Sequence, residues 1–170
     1  ASMRVQDLNK WAESWRDEAM FSGFPGAGAE DCAFITAIEV EIQRIKGEEV
    51  TIGSIDVYKC FDQVVRKLII RLAREAGMDE GVVRAYQGFI DNMVIRFQIN
   101  GCLGEPHYHK RSIPQGCPFS MMLISLLMRP WAKLMRERKV EPRILADDLM
   151  VMGAGRKHGG RTVEAMRASR

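Results

Sequence analysis

The stretch Arg143-Ile144-Leu145-Ala146-Asp147-Asp148-Leu149-Met150-Val151-Met152 sets two adjacent carboxylates between two short apolar runs. That pattern predicts a tight β-hairpin with Asp147 and Asp148 at its tip. Successive side chains on a strand point to opposite faces, so the two acids can aim the same way only if the backbone turns between them.

Upstream, Pro118 to Arg138 is apolar on nearly every side in its first half, which predicts a buried helix, with Pro130 placed to kink it. The strand-like run Met93 to Ile99 meets an Asn100-Gly101 turn, and a hairpin is expected to return through Tyr108 to Ile113. Asp79 is placed to cap a short helix reaching about Asp91. A helix from about Asp62 to Ala76 should stop at Gly77. Val50 to Val57 is rich in β-branched residues and reads as a strand. Leu8, Trp11, Trp15 and Ala19, and after a break at Ser22 to Gly28 also Ile35, Ile38, Ile42 and Ile45, repeat at helical spacing. The second of these helices should begin near Glu30 and Asp31, whose charges suit a helix N-terminus. Short strands in hairpins among helices predict an α+β fold: an antiparallel sheet with helices packed on one side.

With 170 residues, 46% of them hydrophobic, the chain can bury one sizeable core, so one domain or a piece of one is expected. No apolar run approaches the roughly 20 residues of a membrane span, and the first residues lack a secretory signal, so the chain reads as soluble and intracellular. Cys32, Cys60, Cys102 and Cys117 lack zinc spacing and are expected to be reduced. His107 and His109 share a strand face but lack a third ligand. The eleven methionines read as core filling. From Arg129 onward there are eleven Lys/Arg against five Asp/Glu, a local net of +6 in a chain of net +3. This basic third could track a phosphate backbone, or Arg129 to Lys139 could equally be the solvated face and end of a helix.

Three places break the core pattern in ways that folding does not require. They are Ser54-Ile55-Asp56-Val57-Tyr58-Lys59-Cys60-Phe61-Asp62, Arg111-Ser112-Ile113-Pro114-Gln115-Gly116-Cys117-Pro118-Phe119-Ser120, and the Asp147-Asp148 tip. Singly, each has a plain structural reading: Asp56 or Asp62 as a helix cap, Pro114 to Pro118 as a loop, the paired acids as exposed turn residues. Jointly, in this order, they point to two-metal phosphoryl transfer, in which hard cations take carboxylate oxygens drawn from different strands. Asp147 is the expected bridging ligand with Asp56, and Asp148 the accessory one.

The set Asp-x-x-Lys-x-Phe-Asp, Ile-Pro-Gln-Gly-x-Pro-x-Ser and Ala-Asp-Asp resembles the reverse transcriptases of non-LTR retrotransposons and group II introns. Gly23-Phe24-Pro25-Gly26 followed by Ala29-Glu30-Asp31 also resembles the segment before their first catalytic motif, so the likeness spans roughly residues 23 to 152. It implies a polymerase palm with incomplete fingers and thumb. It implies that Asp56, Asp147 and Asp148 are the catalytic, metal-binding acids, served by Mg²⁺ or Mn²⁺. Phe61 matches the aromatic that blocks a ribose 2′-hydroxyl, and Gln115 and Gly116 match the segment that contacts incoming nucleotide and template. The implied partners are an RNA template, a DNA primer and deoxynucleoside triphosphates, with no membrane. The implied location is nuclear if the host is eukaryotic. Within residues 1–170, about 1–50 would be a helical remnant of the fingers, 51–155 the palm motifs and 156–170 the start of the next segment.

Leu145 stands where an aromatic usually precedes x-Asp-Asp. The basic finger segment and the thumb are not in the sequence, so a fragment of a longer frame, inactive alone, is expected. Such a fragment should expose apolar surface around Trp11, Trp15 and Leu126. An RNA-dependent RNA polymerase and a non-catalytic remnant that only binds nucleic acid are the alternative readings.

Overall fold

The computed structural model describes residues 6–169. A 3-10 turn (Gln6–Leu8) leads into α1 (Asn9–Trp15), α2 (Ala29–Ile45), β1 (Val50–Asp56), α3 (Cys60–Gln63), α4 (Arg66–Glu75) and α5 (Glu80–Asp91). Then come the two-residue strands β2 (Gln98–Ile99) and β3 (Cys102–Leu103), followed by α6 (Pro118–Glu137), β4 (Glu141–Leu145), β5 (Asp148–Ala154) and α7 (His158–Ala168). Mixed helices and antiparallel strands make the α+β class expected from the pattern. The chain divides into two units, Ala1–Tyr58 with Cys117–Arg170, and Lys59–Gly116.

The first unit is built on an antiparallel sheet in the order β1-β5-β4. Val50 stands opposite Ala154 and Asp56 opposite Asp148, while Leu145 faces Asp148 from the other side. By strand alternation, Thr51, Gly53, Leu149, Val151 and Gly153 share one face. Helices α6 and α7 cover it: Val151, Met135 and Ala165 are fully buried together, with Trp131, Leu134 and Met166 against them. Gly153 permits the close approach of α7, since a Cβ there would lie 2.5 Å from Thr162 Oγ1 and 3.0 Å from the His158 carbonyl oxygen. Helix α7 lies outside what the sequence pattern predicts, because Gly159-Gly160 in its first turn masks the signal. Helix α2 reaches the opposite face through an ion pair between Glu39 and the buried Arg143.

Several expectations need correction. The first helix ends at Trp15, and Ala19 belongs instead to an edge segment. There the Ile144 amide donates to the Ala19 carbonyl (2.7 Å) and the Phe21 amide to the Ile144 carbonyl (2.9 Å), so residues 19–21 cover the free edge of β4. Asp17 anchors that segment by accepting two 2.7 Å bonds from the Arg136 guanidinium and one from the Ala19 amide. The apolar surface left open is not at Trp15 (3% exposed) or Leu126 (5%) but along α2, which buries none of its residues and exposes Phe34, Ile35, Ile38, Ile42 and Ile45. Trp15 is covered edge-on by Trp11 and Phe24. Helix α6 is buried in its first half as expected and runs unbroken past Pro130.

In the second unit, the single helix expected over Asp62 to Ala76 is two. Val64 and Val65 are extended, a state that suits β-branched residues, and the Val64 carbonyl accepts from the Ser112 amide. Gly77, at φ +80°, ends α4 as predicted: its amide bonds the Arg74 carbonyl and the Met78 amide bonds that of Ala73. Asp79 caps α5 by accepting from the Val82 amide at 3.1 Å. Asn100 and Gly101, at φ 48° and 82°, make the predicted turn, yet its strands span two residues each, with one further bridge between Ile95 and His107. The expected return strand from Tyr108 to Ile113 is absent. Pro106 has no amide to extend the ladder, and Ser112 and Ile113 bond Val64 and Phe61 instead.

Candidate active site

Asp56 closes β1 and Asp148 opens β5, directly across from it. The Val57 amide donates to the Asp147 carbonyl at 3.2 Å, the bond that flanks a non-hydrogen-bonded antiparallel pair. Asp56 and Asp148 are therefore a narrow pair on one face, with Cα atoms about 4.5 Å apart. Both are exposed, and Asp147 is half-buried.

Asp147 lies in the two-residue turn between β4 and β5, and Ala146 before it sits at φ +57°. A positive φ at the first central residue only is the pattern of a type II′ hairpin turn. The backbone thus reverses between the two acids, which is the condition that strand alternation imposed on them.

Ala146 carries a left-handed conformation without being glycine, at a cost of about 1 kcal/mol. A buried serine pair holds it there. Ser22 Oγ accepts from the Ala146 amide at 2.8 Å, and Ser125 Oγ donates to the Ser22 carbonyl at 2.9 Å while lying 3.3 Å from Ser22 Oγ. Gly23, at φ +79°, lets this loop press on α6, since a Cβ would meet the Met122 backbone nitrogen at 2.9 Å. Sequence reasoning missed Ser22. The available signal was Ser125 itself, a polar residue inside the apolar run of α6.

Like charges directly opposite on a sheet are destabilising, so folding alone does not call for Asp56 against Asp148. Among the described residues no group of three or more His, Cys, Asp or Glu lies close enough to enclose an ion. The all-oxygen donors at this open tip nevertheless fit Mg²⁺, which is ordinarily held by one or two carboxylates and completed by substrate phosphates and water.

The remaining predicted residues lie in the second unit. Phe61 is buried in α3, and its carbonyl accepts from the Ile113 amide at 3.0 Å. That bond ties the Ile113-Pro114-Gln115-Gly116 segment to α3. Gln115 and Gly116 form an exposed turn, with Gly116 at φ +76°.

The family model for reverse transcriptase (RNA-dependent DNA polymerase) matches residues 3–169. The chain belongs to the reverse transcriptase family. A retrovirus-related Pol polyprotein from the type-1 retrotransposable element R2 of Popillia japonica is 24% identical over 123 residues, an alignment covering 66% of this chain and 20% of that protein. The chain thus spans about a fifth of the length of this relative. No helix of this reverse transcriptase chain, among the described residues, is long and apolar enough to cross a membrane. Its four cysteines are thiols outside any disulfide.

Proposed function

We propose that Asp56, Asp147 and Asp148 form the nucleotidyl-transfer centre of RNA-templated DNA synthesis, carried on a palm-like sheet. The observation that supports this most is the narrow Asp56–Asp148 pair beside a turn that contributes Asp147. Asp56 and Asp148 present carboxylate oxygens from one face, and Asp147 adds its own from the turn that Ser22 holds in place. Mg²⁺ or Mn²⁺, when bound there, would lower the energy of charge developing as a primer 3′-hydroxyl displaces pyrophosphate from a deoxynucleoside triphosphate. Phe61 excludes the ribose 2′-hydroxyl by its bulk, and the Gln115-Gly116 turn offers backbone to the incoming nucleotide and the template. Template sequence is read by base pairing, so the protein needs backbone and shape contacts rather than base contacts.

The activity is proposed for the whole protein. The acids alone do not position a triphosphate and a primer end, and a misplacement of about 1 Å can cost roughly a hundredfold. The 170-residue chain by itself is therefore expected to show no robust extension.

Templated primer extension by the whole protein, with Mg²⁺ and deoxynucleotides, tests the assignment. Asp56→Asn or Asp148→Asn should lower the rate by at least about a hundredfold, since several kcal/mol of charge stabilisation depends on these oxygens. Full extension by both variants would refute it.

A further inference from the structure

Arg66 opens α4 and is only 6% exposed. A cation in the first turn opposes the helix dipole, and a buried charge is costly, so neither α4 nor the core calls for it. Its guanidinium binds two carbonyls instead: Nε donates to Ser112 at 2.9 Å and Nη1 to Ile90 at 2.6 Å. Ile90 lies in the last turn of α5, where a carbonyl has no partner within the helix and a cation is favoured. Ser112 takes the other prong of the fork.

Ser112 is buried and holds φ +82°, a conformation that a residue with a Cβ keeps only where its surroundings impose it. Hydrogen bonds on both sides impose it here. The Ser112 amide donates to the Val64 carbonyl at 3.0 Å, its carbonyl accepts from Arg66, and the next amide, of Ile113, donates to the Phe61 carbonyl at 3.0 Å. Pro114 follows with its φ fixed by the ring, so little freedom remains between Ser112 and the Gln115-Gly116 turn. Val64 and Phe61 anchor the amides. Arg66 holds the Ser112 carbonyl, and with it the direction in which the chain leaves for Gln115. Strain held in this way gathers at functional sites.

We propose that Arg66 is a positioning residue for nucleotide selection: through Ser112 it fixes the Gln115-Gly116 turn relative to Phe61. Arg66 itself touches no substrate. The inference rests on the reading of Phe61 and Gln115 given above and adds what sets their spacing. Without the fork, Ser112 relaxes toward negative φ, the turn shifts against α3, and a ribose 2′-hydroxyl finds room that the parent denies it.

The test is primer extension by the whole protein, comparing kcat/KM for deoxynucleoside and ribonucleoside triphosphates. Arg66→Lys keeps the charge and loses the planar fork. It should lower the deoxy-to-ribo ratio by about tenfold, a part of the roughly hundredfold that a misplacement of about 1 Å can cost, and raise KM for the deoxynucleotide. A variant that is merely less folded scales both rates together and leaves the ratio and KM as they were, so an unchanged ratio would overturn the proposal. Ser112 supplies a second pair of variants with Arg66 intact. Ser112→Thr is β-branched and averse to positive φ, so it should lower the ratio as Arg66→Lys does, while Ser112→Gly takes that φ freely and should leave the ratio near the parent's. Equal ratios in the two Ser112 variants would overturn the proposal even where Arg66→Lys fails to fold. Phe61→Val checks the underlying reading separately. A lowered ratio there with an unchanged one in Arg66→Lys defeats this inference alone, and no effect of Phe61→Val defeats both.

Discussion

Replacing Asp148 by Asn should stabilise the chain without metal and remove its response to metal. In the narrow pair with Asp56 the Cβ atoms stand about 4.5 to 5.5 Å apart, which puts the two charges roughly 6 Å apart. At that distance in water the repulsion is about 0.7 kcal/mol. Asn and Asp are comparably poor strand formers, so the exchange isolates the charge. Urea denaturation in EDTA at low ionic strength should show Asp148→Asn more stable by about 0.5 to 1 kcal/mol, and the gain should vanish near 1 M salt, where the screening length is about 3 Å. Adding Mg²⁺ should reverse the order, because only the parent chain gains stability from a ligand that binds the folded state. A variant less stable than the parent in EDTA, or an equal response of both to Mg²⁺, would refute the paired-acid reasoning.

Ser22→Ala should cost about 2 kcal/mol, since it leaves the buried Ala146 amide without an acceptor. Denaturation of the single and double variants with Ser125→Ala should show a coupling of at least about 0.5 kcal/mol, and strict additivity would contradict the network. The Arg136 guanidinium bonded to Asp17 holds its carboxyl below the usual 3.8. The folded value is the lower one, so the stabilisation is present above the unfolded pKa and is lost as pH falls through the folded one. Asp17→Asn should therefore cost about 1 kcal/mol at neutral pH, with its acid-unfolding curve approaching the parent's as pH falls below the ordinary carboxylate range. In primer extension by the whole protein, Phe61→Val should raise ribonucleotide use relative to deoxynucleotide. Unchanged discrimination would assign the gate to another residue.

The carboxylate hairpin was legible because two local rules coincide there: apolar runs of strand length and a pair of residues that tolerate a turn. The caps at Asp79 and Gly77 and the Asn100-Gly101 turn were legible for the same reason, since each is set by a few consecutive residues. What escaped depends on residues far apart in the chain. Nothing in Asp17 to Phe21 announces that it covers the edge of β4, more than a hundred residues away. The break at Val64-Val65 depends on Ser112 arriving to bond the Val64 carbonyl. Helix α7 forms despite Gly159-Gly160, because its close packing on the sheet, where Gly53 and Gly153 leave room for Met166 and Thr162, outweighs the local cost.

Which acid meets which was likewise hidden. From the sequence Asp147 is the expected bridging ligand with Asp56; the strand register is a separate matter that depends on the turn, and the turn depends on Ala146. Held at φ +57° by Ser22, Ala146 assigns Asp147 to the loop and brings Asp148 to the first ladder position, opposite Asp56. A one-residue slip would carry every β5 side chain to the other face and set Asp148 among the apolar contacts of α6 and α7. The buried set Leu149, Val151 and Ile144 opposes that slip, so the same apolar residues that make the core also fix the geometry of the carboxylates. Folding and the proposed chemistry therefore rest on one register, and the hydroxyl of Ser22 is the long-range contact through which both act on the turn.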